Sequence, residues 1–145
     1  MYRNDRLPDG YRLVQGPPSV GAYLELRLRS GLSPRREDQA RAGLHGSWFA
    51  VHIVHEETME AVGMGRVLGD GGWYFHVIDM AVVPEHQRRG LGDVVLTALF
   101  DRIRSCAPRG AFVNLLADPP GIALYTRHGF VATSPTSEGM ALYLE

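Results

Sequence analysis

Gln87-Arg88-Arg89-Gly90-Leu91-Gly92 lies between a strand-like run, Phe75 to Val83, and a helix-like run, Asp93 to Ser105. Strand, glycine-bearing turn and helix, in that order, present the first helical amides where they have no intrahelical acceptor and where the helix dipole places partial positive charge. An anion is the natural partner for such donors. The glycines admit a phosphate close to the backbone because no Cβ intervenes, and Arg88 and Arg89 add positive charge. The turn reads as a grip for a diphosphate.

Two familiar phosphate loops do not fit this spacing. A Walker loop ends in Gly-Lys-Ser/Thr, which is absent, and the dinucleotide fingerprint needs a third glycine where Val95 stands. The stretch instead resembles the acetyl-coenzyme A signature of the GCN5-related N-acetyltransferase (GNAT) family, Gln/Arg-x-x-Gly-x-Gly/Ala. That signature follows a strand ending in an apolar-Ala-Val triplet, here Met80-Ala81-Val82, and then Val83-Pro84. A second stretch, Ala123-Leu124-Tyr125-Thr126-Arg127-His128-Gly129-Phe130, is similar to the family's Ala-x-x-Leu-Tyr-x-x-x-Gly-Phe segment with its front end altered. Two motifs in the family's order are far more specific than either alone.

Composition sets outer bounds. The chain has 145 residues, a length that suits one domain spanning 1–145 with a core that needs no staples. Its 15 basic and 16 acidic residues leave a net charge of -1, so no general electrostatic reason exists to bind nucleic acid or membrane. Any anion site must be local. Cys106 is the single cysteine, which excludes an internal disulfide and a cysteine-cluster metal site. No metal is expected. The polar start, Met1 to Gly10, lacks the apolar centre of a signal peptide, and no run approaches about 18 apolar residues. A cytoplasmic protein is the expectation.

Periodicity supplies the element order. Tyr11 to Val14 reads as a short strand closed by Gly16-Pro17-Pro18, and from the N-cap Ser19 the set Val20, Tyr23, Leu24 and Leu28 recurs at helical intervals up to Gly31. A second, mostly polar helix is expected from Ser33-Pro34 to about Leu44. Trp48 to Val54 and Ala61 to Leu68 read as a hairpin, and Asp70-Gly71-Gly72 turns into a longer strand, Trp73 to Val83. Val95, Leu96, Leu99, Phe100 and Ile103 line one face of the following helix. Phe112 to Leu116 is then a buried strand parallel to its predecessor, because a helical crossover joins them. A short helix from Asp118-Pro119-Pro120 stops at Gly129, and two last strands are expected at Phe130 to Thr133 and Met140 to Leu144. This order resembles the GNAT fold over nearly the whole chain. It implies an α/β architecture, a mixed six- to seven-stranded sheet flanked by about four helices.

The resemblance also implies chemistry: acetyl passes from acetyl-coenzyme A, a cosubstrate, directly to an amine, with a small-molecule amine as the expected acceptor. Peptide or protein amines, and a sensor that binds the donor without turnover, stay open. Backbone groups of Met80, Ala81 and Val82 would take the pantetheine arm, and Gln87, Arg88, Arg89, Gly90, Leu91, Gly92 and Asp93 would wrap the pyrophosphate. Tyr125 would be the general acid that returns a proton to the thiolate. The base is open between His76, Asp79 and water: histidine suits proton abstraction near neutral pH, and strand alternation places His76, Ile78 and Met80 on one face unless a bulge intervenes. By the same resemblance the acceptor pocket offers Tyr23, Trp48 and the 135–139 loop, with Tyr143 structural. A homodimer is left open by the sequence.

Overall fold

The computed structural model describes residues 7–145. Residues 1–6, part of the polar start read above, lie outside the described residues. The elements run β1 (Tyr11–Gln15), α1 (Val20–Ser30), α2 (Glu37–His45), β2 (Phe49–His55), β3 (Glu60–Gly69), β4 (Tyr74–Val82), α3 (Leu91–Cys106), β5 (Phe112–Asn114) and α4 (Ile122–Arg127). Five strands form one sheet in the order β1-β2-β3-β4-β5. The first three pairings are antiparallel, as short connections dictate, and β4 pairs β5 in parallel across the α3 crossover. The mixed α/β fold therefore follows the expected order through β5 and α4.

Local chemistry explains the joints. The Ser19 hydroxyl accepts from the Ala22 amide at 3.2 Å to start α1, and Gly31, at φ 88, ends it in the left-handed region. The β3–β4 turn is held by the Asp70 carboxylate, whose Oδ1 accepts the amides of Gly72, Trp73 and Tyr74. Along α3 the apolar stripe Leu91, Val94, Val95, Leu96, Ala98, Leu99 and Ile103 is buried against β2, β3 and β4. Each leucine, valine or isoleucine of this stripe contributes about 1.5–3 kcal/mol by leaving water.

One irregularity shapes the sheet. Met64 pairs Ala81 while Arg66 pairs Ile78, so Gly65 alone opposes two residues of β4, Asp79 and Met80. Asp79 takes φ 59 there, a conformation that Asp tolerates better than most residues. Gly65 is required by the close approach of α3: a Cβ at this position would lie 2.6 Å from both Met80 Sδ and Val95 Cγ1.

Four expectations need correction, the first being the buried strand read at Phe112 to Leu116: β5 is only Phe112–Asn114, and Phe112 and Leu116 are exposed at the sheet's edge. The buried face of α1 is Tyr23, Leu26 and Arg27, whereas Leu28 is exposed, because a buried arginine turns the helix away from its purely apolar stripe. The second helix starts at Glu37 rather than at Ser33-Pro34. The two last strands are not formed: residues 131–145 carry no strand and are exposed throughout. A strand needs a partner for its backbone groups, and β5 is the sheet's open edge.

Gly65→Ala should destabilise the fold by roughly 1–3 kcal/mol through overpacking against Val95. Denaturant titration of the two proteins checks this, and an unchanged midpoint would mean that α3 can move away without cost.

Candidate active site

The sheet opens beside β4. Its last pairing with β5 joins His76 to Asn114, yet β4 continues to Val82, so the stretch from Val77 to Val82 keeps a free edge on that side. A cleft of about 1010 Å³ occupies the gap, lined by β4, the glycine turn, the start of α3, α4 and the α1–α2 connection. An extended ligand can use such an edge as an added strand.

The free edge leads to the turn. After one 3-10 turn at Pro84–His86, Arg88 takes φ 61 and Gly90 takes φ 79 before α3 begins. No side chain caps α3 at Gly90, and the first helical bond is Val94 N–H to the Gly90 carbonyl at 3.1 Å. The amides of Leu91, Gly92 and Asp93 precede that bond and are left for an outside acceptor. Arg88 lines the cleft. Arg89 does not: its Nη1 donates to the Tyr11 hydroxyl at 2.9 Å and its Nη2 to the Glu85 carbonyl at 3.3 Å, so it braces the turn from behind. Gln87 is also occupied, its side-chain amide donating to the Val82 carbonyl at 2.9 Å. It fixes the turn to the end of β4.

Gly92 and Asp93 bring α4 to the same place. A Cβ on Gly92 would lie 3.3 Å from Leu124 Cδ2, and Asp93 accepts from Arg127 Nη2 at 3.1 Å and meets His128 Nε2 at 2.8 Å. Tyr125, half-buried, packs edge-on against Phe130 with its ring over Gly121. Burial, with a smaller contribution from the Asp118 charge, pushes its phenol above the ordinary tyrosine value. Among the described residues its hydroxyl has no hydrogen-bond partner, and the side chain lines the cleft.

His76 and Asp79 are in contrasting states. Asn114 Nδ2 donates to the Phe75 carbonyl at 3.3 Å, which turns its Oδ1 toward His76 Nδ1, 2.6 Å away. An amide oxygen only accepts, so Nδ1 is the donor, and in the neutral imidazole this tautomer leaves the lone pair on Nε2. Asp79 is buried and saturated. Its Oδ1 accepts from Arg27 Nη1, and its Oδ2 accepts from the Tyr23 hydroxyl at 2.6 Å and Arg66 Nε at 2.8 Å. Burial, then the bond to Asp79, raises the Tyr23 phenol above its ordinary pKa.

The two arginines were not legible as site residues. Their only sequence signal is a charge at a position that keeps helical or strand register with buried neighbours. Trp48, expected at the acceptor pocket, packs edge-on on Phe75 at 4.9 Å and does not line the cleft, whereas Tyr143 does.

The model of the acetyltransferase (GNAT) domain family matches residues 47–132, from β2 past α4. The chain belongs to the GNAT family. It is 30% identical over 127 residues to serotonin N-acetyltransferase 2, chloroplastic, of Oryza sativa subsp. japonica, covering 86% of this chain and 62% of the relative. It is 29% identical over 107 residues to the uncharacterized N-acetyltransferase ycf52 of Pyropia yezoensis, covering 72% and 60%. The chain thus spans about three fifths of the length of these curated relatives. Among solved structures, a protein of unknown function from meticillin-resistant Staphylococcus aureus, named as a probable acetyltransferase, superposes with a TM-score of 0.87 at 31% identity. That match covers 92% of this chain and 99% of the other. Among the described residues no helix is long and apolar enough to cross a membrane.

Asp79→Asn in this GNAT chain should lower stability by about 3–5 kcal/mol, because Arg27 and Arg66 then stay buried without their counter-charge. Chemical denaturation measures the loss. A change below about 1 kcal/mol would mean that water reaches the two guanidinium groups.

Proposed function

We propose that this chain is an N-acetyltransferase that passes acetyl from acetyl-coenzyme A directly to the primary amine of a small molecule. The observation that carries this reading is the free edge of β4, which runs from beside His76 to the uncapped amides of α3. The donor's chemistry fits it: an amide-bearing arm suits an open strand edge, and a pyrophosphate suits open helical amides beside Arg88. Leu91, Gly92 and Asp93 would hold the pyrophosphate through their backbone, and Met80, Ala81 and Val82 the arm.

Acetyl-coenzyme A, when bound, supplies an activated acyl thioester. The chain's own groups then manage two protons. His76 Nε2, with its lone pair held available by Asn114, takes the proton that the attacking amine must lose. The Tyr125 hydroxyl gives a proton to the departing sulfur. Asp79 is assigned no base role, since three donors already occupy its oxygens. Its part is to hold the bulge and α1. The relative named serotonin N-acetyltransferase makes arylalkylamines the first acceptors to try, ahead of polyamines, amino sugars and peptides.

Acetyl-coenzyme A should raise the melting temperature, ATP and NAD should not, and thiol release should appear with at least one amine of such a panel. Absence of the donor-induced shift would defeat the reading. A shift without turnover on any amine would leave a donor-binding protein in place of an enzyme.

Tyr125→Phe should lower kcat by about 100-fold or more while the donor KM changes little. Because burial raises this phenol above the ordinary tyrosine value, it stays protonated through the neutral range, and the rate should show no Tyr125-dependent fall there. An unchanged kcat in the Phe variant, or a high-pH limb near 8 that the substitution abolishes, would contradict the assignment.

A further inference from the structure

We infer that the acceptor is an amine carrying its own oxyanion, a carboxylate or a phosphate, and that Arg66 and Arg35 receive this group at the α1–α2 end of the cleft. The inference rests on the acetyl-transfer reading above and narrows its acceptor class. Arg66 supplies the first observation. Its side chain is 8% exposed, its Nε is spent on Asp79, and its Nη1 on the Gly43 carbonyl and the Ser47 hydroxyl. Among the described residues its Nη2 has no hydrogen-bond partner. No described side-chain nitrogen or oxygen is both sealed from solvent and unbonded, so Nη2 is reached from outside, and Arg66 lines the cleft. A guanidinium locked in one orientation with an open Nη2 is preorganised for an oxyanion.

Charge points the same way. With Asp79 ionised, the buried cluster of Arg27, Arg66 and Asp79 still sets two positive charges against one negative. A buried surplus charge is costly until a counter-charge meets it. Arg35, on the same α1–α2 connection, also lines the cleft and donates to the Pro34 carbonyl rather than to a carboxylate. The other carboxylates of the cleft lie elsewhere: Asp93 is paired with Arg127 at the start of α3, and Asp118 precedes α4, where its charge acts on Tyr125. The α1–α2 end therefore offers no spare carboxylate to a second ammonium group, as a polyamine would require.

Register sets the reach. Arg66 pairs with Ile78 and Leu68 with His76, so Arg66 and His76 share one face of the sheet as diagonal neighbours. Such positions lie about 7–8 Å apart. An amine at His76 Nε2 and an oxyanion at Arg66 Nη2 thus fit within one small molecule, a few bonds apart.

Two matched pairs test this: tyrosine against tyramine, and glucosamine 6-phosphate against glucosamine, which also separate a carboxylate from a phosphate. Thiol release should give kcat/KM about 10-fold or more higher for the charged member of at least one pair. Arg35→Glu, at an exposed position, should cut that ratio by about 5-fold or more. Arg66→Lys, which keeps a charge beside Asp79 but removes Nη2, should cut it further, with circular dichroism checking its fold. Calorimetry on protein saturated with coenzyme A reads the same preference without turnover, through the N-acetylated member of each pair. Ratios of one or less in both pairs, or a preference that Arg35→Glu leaves intact, would overturn the inference while an intact donor-induced melting shift leaves acetyl transfer standing. Loss of that shift would strike the acetyl-transfer reading and this inference with it.

Discussion

A single carboxylate, Asp79, ties together β4, α1 and β3 at one side of the cleft. It sits at the β4 bulge and takes hydrogen bonds from α1 through Tyr23 and Arg27 and from β3 through Arg66. Two arginines and one aspartate out of water would cost several kcal/mol per ion if left incomplete. Further donors are matched: Arg27 Nε and Nη2 reach the Ser33 carbonyl, and Arg66 Nη1 reaches the Gly43 carbonyl and the Ser47 hydroxyl. The network therefore fixes the start of the α1–α2 connection and the end of α2 as well as the strand. Its consequence is positional. The extra residue in β4 and the end of β5 pairing at Asn114 leave the strand's second half free along one side.

How much of this the sequence disclosed depends on whether the causes were local. The glycine turn, the α3 stripe and the parallel return of β5 were legible, because caps, periodicity and crossover geometry act within a few residues of the signal. The bulge was not, since it arises from Gly65 meeting Val95 and from Arg27 and Arg66 meeting Asp79 across the sheet. The apolar set read for α1 left out Arg27, and the burial of that residue shifts the helix's buried face to Tyr23, Leu26 and Arg27. At residues 140–144 the residue types favour a strand, but a strand is a property of a pair, and this chain alone provides no ladder for it.

The candidate site divides the same way. Tyr125 and His76 were named from motif and alternation, and both line the cleft. Asn114, which sets the tautomer of His76, could not be ranked from sequence because its effect depends on the Phe75 carbonyl fixing its amide. Arg89 and Gln87 show the converse. They belong to the motif by type, yet their side chains brace the turn, and of the motif's two arginines it is Arg88 that lines the cleft.

One tension remains at the helix start. Asp93 is the third residue of α3, where a carboxylate suits the dipole but would repel a diphosphate held by the same turn. The structure answers with Arg127 and His128, both drawn from the end of α4 onto Asp93. Arg127 offsets the local negative charge, and the contact holds Tyr125, two residues earlier, at the cleft. The ion pair that neutralises the acidic start of α3 thus also fixes the end of α4, and with it Tyr125, against the cleft.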